Sequence, residues 1–230
     1  MGKLRLDKLL FDRGLTPSRE RAQALILAGR VLVNEQKIEK PGSAVDPEAA
    51  IRLLGEDLRY VSRGGLKLEA ALEHWRIDLT GRNCLDIGAS TGGFTDCMLQ
   101  RGAAHVISVD TGYGQIHGKL RGHPQVELLE KTNARYLRGD QLSRAIDFFV
   151  MDVSFISATL VLPAVVAAIR GRATAEPRSA EFRAVVLVKP QFEVGRELVG
   201  RGGIVRDQQA QLAAVAKVEG AVAAQGAGHA

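Results

Sequence analysis

Two lysines and one aspartate are the residues of this 230-residue chain whose types and positions could carry out chemistry. Asp152 and Lys189 each end a run of hydrophobic residues that predicts a buried strand, and Lys67 stands near the start of a predicted helix. An ammonium group at a strand end is costly unless it is paired or reaches solvent. If all three groups met at one sheet edge, the second cation would lower the pKa of one amine, which could then take or loosen the proton of a hydroxyl group. Alternatively, Lys67 and Lys189 are independent surface residues.

A glycine-rich segment, Leu85–Phe94 (LDIGASTGGF), predicts a strand followed by a turn that approaches a ligand. Glycine suits such a turn because it tolerates positive φ and leaves room for a cofactor. A dinucleotide site of pattern G-x-G-x-x-G needs a second glycine where this chain has Ser90. The segment therefore favours a cofactor that lacks a pyrophosphate. A tight strand-to-helix turn without any ligand is the alternative.

An acidic residue, Asp110, closes the second predicted strand, 22 residues after Gly88. In open α/β sheets, ligands bind at the carboxyl ends of the strands near the topological switch point. An acid there can accept hydrogen bonds from both hydroxyls of a ribose, which supports a cofactor that contains adenosine. A dehydrogenase would carry the same acid, so this residue alone does not decide between the two.

Alternating strands and helices from residue 66 onwards predict an α/β domain, with these residues at the carboxyl edge of its sheet. The predicted strands are Asn83–Ile87, His105–Asp110, Val126–Leu129, Asp147–Asp152 and Ala184–Lys189. The predicted helices are Leu66–Trp75, Phe94–Gln100, Ser157–Ile169 and Gln208–Ala224, with a mobile loop from Gly171 to Glu181.

A basic N-terminal segment precedes this domain. Residues 1–31 carry seven basic and three acidic side chains, while the whole chain has a net charge of +5. Two short helices, the second capped by Ser18, and a small sheet predict a minimal α+β domain. Its basic residues could contact RNA phosphates, and a solvated face used for protein contact is the alternative. The candidate RNA-binding residues are Arg5, Lys8, Arg19, Arg21 and Arg30.

The remaining composition points to a cytoplasmic protein without a metal or a membrane span. Cys84 and Cys97 form no CxxC pattern and are expected to be reduced, and the five histidines lack ligand spacing. The longest uncharged stretch, Val153–Ile169, contains serine, threonine and proline and is too short to cross a bilayer comfortably. No basic and apolar leader opens the chain.

Several motifs resemble known families. The residues from Arg5 to Asn34 are similar to the S4 RNA-binding domain, and Leu85–Phe94 resembles the first strand and loop of a class I methyltransferase. Over residues 4–207 the chain closely resembles the TlyA family of ribosomal RNA 2′-O-methyltransferases, which are also labelled haemolysins. This likeness rests on SRGGLKL at 62–68, DIGASTGGFTD at 86–96, DVSFIS at 152–157 and VKPQFE at 188–193.

The resemblance implies a class I, Rossmann-like α/β methyltransferase domain at residues 66–230, joined by a linker at 59–65 to an S4 domain at 1–58. It implies S-adenosylmethionine as cofactor and methylation of a cytidine 2′-hydroxyl in ribosomal RNA, with ribosomal RNA or ribosomal subunits as partners. The family, like the related FtsJ methyltransferases, uses a Lys-Asp-Lys-Glu tetrad, of which Lys67, Asp152 and Lys189 match three members. The implied cofactor-binding residues are Asp86, Gly88, Ser90, Gly92, Gly93, Phe94 and Asp110.

The sequence departs from the family pattern after Asp207. An alanine-rich helix follows instead of two further strands and the segment that supplies the tetrad glutamate, and Glu219 lies in the middle of that helix. The sheet is therefore expected to be C-terminally short, with an exposed edge at its fifth strand. Two other functions stay open at this point: a non-catalytic RNA-binding remnant of the family, and a membrane-lytic haemolysin. A strongly amphipathic basic helix, which the latter would need, is not evident.

Overall fold

Two units, residues 1–59 and residues 60–230, divide the chain, and each has its own hydrophobic core. The computed structural model describes residues 2–54, 59–173 and 182–226.

The first unit packs two helices against short antiparallel strands. Its helices are α1 (Leu6–Asp12) and α2 (Arg19–Leu27), and its strands are β1 (Leu4–Arg5), β2 (Val31–Val33), β3 (Gln36–Lys37), β4 (Ala44–Val45) and β5 (Ile51–Leu53). Strands β3, β2 and β5 form one sheet in that order, and β1 pairs with β4. The core includes Leu6, Leu10, Ile26 and Val31, all completely buried. The predicted helix pair and small sheet are confirmed.

Local chemistry fixes the bounds of these elements. Ser18 Oγ accepts a hydrogen bond from the backbone N–H of Arg21 (3.2 Å), so Ser18 is the N-cap of α2, as its position predicts. Between β2 and β3, Asn34 and Glu35 both have positive φ (49° and 63°). Such a two-residue connection matches the twist of an antiparallel pair and closes a tight hairpin.

Five parallel strands form the sheet of the second unit. They are β6 (Asn83–Ile87), β7 (His105–Val109), β8 (Val126–Leu129), β9 (Phe148–Met151) and β10 (Arg183–Val186), in the order β10–β9–β6–β7–β8. Every residue of the central strand β6 is buried, as expected when both faces are covered. Since β7 and β9 lie on opposite sides of β6, the topological switch point falls between β6 and β9.

Helices cover both faces of this sheet. They are α3 (Gly64–His74), α4 (Gly93–Gln100), α5 (Gly118–Arg121), α6 (Ala158–Ala173), α7 (Pro190–Glu193) and α8 (Gln208–Ala223). Cys84 and Phe148 pack in a cluster with residues of α3 and α4, whereas Leu85 and Phe149 pack with residues of α6. Neighbouring strand residues thus point to opposite faces, which makes a three-layer α/β/α arrangement.

The structure differs from the predicted bounds at several functional points. Strand β10 ends at Val186, so Lys189 lies three residues beyond it, as the N-cap of α7. Asp152 directly follows β9 instead of ending it. Lys189 leaves the strand because Pro190 fixes a backbone angle suited to the first position of a helix.

Two predicted loops also differ. Helix α6 continues to Ala173 and so includes the first three residues of the loop predicted at Gly171 to Glu181, and residues 174–181 lie outside the described part of the chain. In the predicted linker at 59–65, Tyr60 is buried (2% exposed) against Leu68, and α3 already begins at Gly64. At the sheet edge, β10 is bordered by β9 alone among the described strands, and its first two residues are exposed.

Candidate active site

Lys67, Asp152 and Lys189 meet at the carboxyl edge of the sheet. Lys67 comes from the first turn of α3, Asp152 follows β9, and Lys189 precedes α7. Lys189 Nζ lies 2.5 Å from Asp152 Oδ1, and Lys67 Nζ lies 4.0 Å from Asp152 Oδ2. One carboxylate therefore faces two lysine side chains, with Lys189 close to one oxygen and Lys67 further from the other.

The central pair of this cluster is partly shielded from solvent. The side chains of Asp152 and Lys189 are 19% and 21% exposed, while that of Lys67 is 55% exposed. Lys189 Nζ also donates a hydrogen bond to Ser154 Oγ (2.7 Å), which fixes its direction. A substrate hydroxyl can reach these atoms, yet their charges interact more strongly than they would in bulk water.

The glycine loop that follows β6 packs directly on Asp152. Gly88 has φ +86°, and a Cβ atom at this position would lie 2.7 Å from the Asp152 carbonyl oxygen. No L-residue fits this approach without displacing backbone, so only glycine allows the loop to lie this close. The loop and the charged cluster consequently share one edge of the sheet.

Asp110, which follows β7, organises the far side of that loop. Its Oδ2 accepts the N–H of Ser90 (2.8 Å), and its Oδ1 accepts the N–H of Gly112 (2.7 Å). A cleft here is lined by Ala89, Ser90, Ser108, Asp110, Gln115 and Ile116, among others. Each carboxylate oxygen has a second lone pair, so Asp110 can still accept hydrogen bonds from ligand hydroxyls.

Asp86 is a completely buried acid on the central strand β6. Thr95 Oγ1 donates to its Oδ2 (2.6 Å), while its Oδ1 has no hydrogen-bond partner among the residues that the structure describes. Burial raises the pKa of Asp86 to about 7, an effect that the Thr95 hydrogen bond only partly opposes. An unsatisfied buried acceptor of this kind fits a cationic group, such as the ammonium of an amino-acid cofactor.

The other predicted cofactor-binding residues begin helix α4. Gly92 is its N-cap with φ +90°, and Gly93 lies so close to the backbone N–H of Gly65 that a Cβ would be 3.0 Å from that nitrogen. Phe94 is buried in the hydrophobic cluster that contains Tyr60 and Leu68. Phe94 therefore supports the loop from within the core, and a direct contact with a cofactor stays a prediction.

In the first unit, the buried acid Asp7 accepts hydrogen bonds from two of the predicted RNA-binding arginines. Asp7 is completely buried and accepts hydrogen bonds from Arg5 Nε (3.0 Å) and Nη2 (2.9 Å), from Arg19 Nη2 (3.2 Å) and from Gln23 Nε2 (2.9 Å). The Arg5 guanidinium, more than any other group, holds the pKa of Asp7 well below its usual range. Arg5 and Arg19 stay about half exposed, so their other donors can reach a ligand.

The remaining candidates of the first unit are less tightly grouped. Lys8 is exposed on α1, whereas Arg21 and Arg30 are half-buried. The structure thus brings the Arg5 and Arg19 guanidinium groups together on Asp7, whose Oδ1 also accepts the backbone N–H of Lys8 (2.9 Å).

Two aromatic residues near the charged cluster have no role in the sequence-based prediction. Phe155 is 92% exposed and adopts φ +65°, and its ring lies 5.5 Å from that of Phe192. A bulky residue in the left-handed region is strained, and such strain concentrates at functional sites. The motif DVSFIS placed Phe155 beside the site, but no sequence pattern indicates that its side chain faces solvent.

Glu193 is the second residue that the sequence did not single out. It is buried, with a side chain only 2% exposed, and lies four residues after Lys189 on α7. Glu219, the acid considered and set aside as a fourth tetrad member, is exposed on α8. The proline and the four-residue spacing in VKPQFE are the signals that could have pointed to Glu193.

Comparisons with known proteins agree with this geometry. The FtsJ-like methyltransferase family matches residues 60–228, and the S4 domain family matches residues 4–51. The 16S/23S rRNA (cytidine-2′-O)-methyltransferase TlyA of Mycobacterium tuberculosis is 46% identical over 217 residues, which cover 94% of this chain and 78% of that protein. The chain belongs to the TlyA family of FtsJ-like methyltransferases. The predicted fold class, a class I methyltransferase domain with an N-terminal S4 domain, is confirmed.

Other members of the TlyA family carry the haemolysin name. Hemolysin A of Brachyspira hyodysenteriae is 40% identical over 205 residues, covering 89% of this chain and 81% of that protein. A solved structure of a hemolysin-named protein from Streptococcus thermophilus superposes with a TM-score of 0.68 at 40% identity, covering 98% of this chain and 80% of its own. Among the described residues of the present chain, every helix is too short or too polar to span a bilayer.

Proposed function

We propose that this TlyA-family protein transfers the methyl group of S-adenosylmethionine to the 2′-hydroxyl of a cytidine in ribosomal RNA. The observation that carries the proposal is the cluster of Lys67, Asp152 and Lys189 beside the Gly88 loop. The relative from M. tuberculosis is named for this activity, and its likeness extends over nearly the whole chain. A base next to a cofactor loop is what methylation of a weakly acidic hydroxyl requires.

The cofactor would be held by Asp86 on β6, by the loop that follows β6 and by Asp110 after β7. The unpartnered Oδ1 of Asp86 suits the cofactor ammonium, Asp110 suits the ribose hydroxyls, and Gly88 and Ser90 suit the close backbone approach. Gly92, Gly93 and Phe94 shape the start of α4 behind them. When bound, S-adenosylmethionine supplies an electrophilic methyl group on a sulfonium.

We assign to Lys189 the role of the base that removes the proton of the 2′-hydroxyl. In its uncharged amine form, Nζ would take this proton and leave the ribose oxygen free to accept the methyl group that the bound cofactor would supply. Asp152, 2.5 Å from Nζ, stabilises the ammonium that forms, and Ser154 keeps Nζ in place. Lys67 provides a second cation at the same carboxylate. Most of the rate enhancement is expected from positioning, since the step needs little other acid–base help.

The exposed ring of Phe155, supported by Phe192, is proposed to stack on the base of the target nucleotide. Proteins recognise unpaired RNA bases by stacking them on aromatic side chains, and enzymes that modify one nucleotide extrude it from its neighbours. An exposed aromatic held in a strained conformation one residue from Ser154 suits this task.

The S4 unit is proposed to bind the RNA backbone through Arg5, Lys8, Arg19, Arg21 and Arg30. Asp7 orients two of these guanidinium groups, which removes part of the side-chain entropy that binding would otherwise cost. Phosphate contacts release counterions, so the affinity of the chain for RNA should fall steeply with salt concentration.

Replacing Lys189 tests the proposal. The Lys189→Ala variant should lose methyl transfer to ribosomal subunits at least a hundredfold and keep its affinity for S-adenosylmethionine within about threefold. Lys119→Ala, which removes a lysine on α5 outside the cluster, is the matched control and should retain activity. Turnover by Lys189→Ala close to that of the unaltered protein would contradict the assignment. An unaltered chain that binds RNA without methylating it would favour a non-catalytic RNA-binding role.

A further inference from the structure

The segment between β9 and α6 carries Asp152, Ser154 and Phe155, and its conformation is strained. Phe155 is in the left-handed region at φ +65°, a conformation that a bulky residue does not hold without restraint from its surroundings. Residues 152–157 are also outside regular structure, and of these Asp152 still donates its backbone N–H to the Ile87 carbonyl oxygen of β6 (2.9 Å), whereas residues 153–157 belong to no strand or helix. Some other contact must therefore hold the segment where Lys189 can meet Asp152.

Helix α7 supplies contacts at two points of this segment. Lys189, its N-cap, donates to Ser154 Oγ at one point. Glu193, its last residue, accepts hydrogen bonds from Ser157 Oγ (2.5 Å) and from the backbone N–H of Ala158 (2.7 Å) at the other. Ala158 is the first residue of α6, so the carboxylate also lies at the positive end of that helix.

The charge of Glu193 is balanced from the C-terminal helix. Lys217 Nζ on α8 lies 3.4 Å from Glu193 Oε2 and donates to the Glu193 carbonyl oxygen (2.7 Å). The Glu193 side chain is 2% exposed, and a buried carboxylate without such partners would be expensive. Three groups, from the segment before α6, from α6 and from α8, thus converge on a single carboxylate that does not touch the charged cluster itself.

From this arrangement we propose that Glu193 is a positioning residue, which holds the strained segment 152–157 and α7 in the register that brings Lys189 Nζ to Asp152. The proposal rests on the function assigned to Lys189. One helical turn separates Lys189 from Glu193, so both anchor points move with the same short helix. Losing the Glu193 anchor releases the segment at Ser157 and lets the distance between Lys189 and Asp152 vary, although neither residue has changed.

The test compares Glu193→Gln with a matched control in the full chain. Asp147→Asn removes another carboxylate that accepts a backbone N–H, from Asn83 at 2.8 Å, at the opposite edge of the same sheet. Glu193→Gln should lower kcat at least tenfold while the Kd for S-adenosylmethionine changes less than twofold. Amide hydrogen exchange at residues 158–160, whose N–H groups donate to Glu193 or Ser157, should become at least tenfold faster. Asp147→Asn should leave kcat and exchange at these residues unchanged.

Ser157→Ala is the second variant, because it removes one of the hydrogen bonds to Glu193, together with the contacts of Ser157 Oγ with Thr159, and preserves the buried charge. It should lower kcat in the same direction by a smaller factor, and adding it to Glu193→Gln should have little further effect. Hydrogen exchange tests the positioning role of Glu193 even if the unaltered chain transfers no methyl group. A failure of this proposal can therefore be distinguished from a failure of the proposed function. Unchanged exchange at residues 158–160 in both variants, or kcat within twofold of the unaltered protein, would overturn it.

Discussion

The buried acid Asp86 gives the sharpest quantitative prediction. Its carboxyl group is completely buried, and its pKa in the folded protein is raised to about 7 by that burial. In the unfolded chain the pKa of an aspartate is about 3.9. Between these two values the folded protein holds a proton that the unfolded chain has released. The free energy of unfolding must therefore fall as the pH rises from about 4 to about 7, and then level off.

The magnitude follows from the difference between the two pKa values. About three pKa units at about 1.4 kcal/mol each give a total loss of about 4 kcal/mol, of which about 2.5 kcal/mol falls between pH 5 and pH 8. Asp86→Asn keeps the shape of the side chain and its acceptor for Thr95 but cannot titrate. The variant should therefore gain about 2.5 kcal/mol relative to the unaltered protein when the pH is raised from 5 to 8.

Urea denaturation at both pH values measures this difference. The only tryptophan, Trp75, lies in the second unit, so its fluorescence reports the unfolding of that unit. Groups that titrate in both proteins cancel in the comparison. Equal stability differences at pH 5 and pH 8 would refute the conclusion that Asp86 binds a proton in the folded protein. If the cofactor ammonium pairs with this carboxylate, S-adenosylmethionine binding near pH 7 should also release a proton, which calorimetry in two buffers detects.

Three further variants test other parts of the site. Gly88→Ala should weaken S-adenosylmethionine binding more than tenfold, because its Cβ would meet the Asp152 backbone, whereas Gly81→Ala, with similar φ but no atom within 4 Å, should cost only about 1 kcal/mol of stability. Phe155→Ala should raise the KM for ribosomal RNA at least fivefold and Phe155→Tyr should not, since stacking contributes about 1–3 kcal/mol per base; equal KM values would exclude stacking. Asp7→Asn should weaken RNA binding in the full chain because Arg5 and Arg19 lose the carboxylate that orients them, even though the net charge becomes more positive. Tighter binding would show that Asp7 does not orient these two side chains. Because the pKa of Asp7 is depressed, its contribution to stability is present above about pH 4 and is lost as the pH falls below that.

Much of the fold was accessible from sequence because strong periodic signals mark it. The strands β6 and β8 match their predicted bounds, and Ser18 caps α2 as its position indicates. The ends of the strands and helices near the active site were less predictable. Hydrophobicity continues from β10 through Val188, but Pro190 turns the chain into α7, so Lys189 reaches Asp152 from a helix cap instead of a strand end.

The three members of the charged cluster could be predicted from the sequence, but the residues around them that hold or extend the site could not. Lys67, Asp152 and Lys189 stand out because charged residues beside buried elements are rare. Glu193 and Phe155 do not, since their importance depends on burial and backbone angle. Glu193 becomes a buried acceptor only through contacts with residues 35 and 36 positions away, and the positive φ of Phe155 follows no local pattern. Long-range packing of this kind leaves little trace in a single sequence.

The identity of the methylated product tests the central claim most directly. Ribosomal subunits would be incubated with the protein and S-adenosylmethionine labelled in its methyl group, and the RNA would then be digested to nucleosides. We expect the label in 2′-O-methylcytidine, and we expect it to disappear with Lys189→Ala. Label on a base, or no transfer to RNA by a protein that binds both cofactor and RNA, would contradict it.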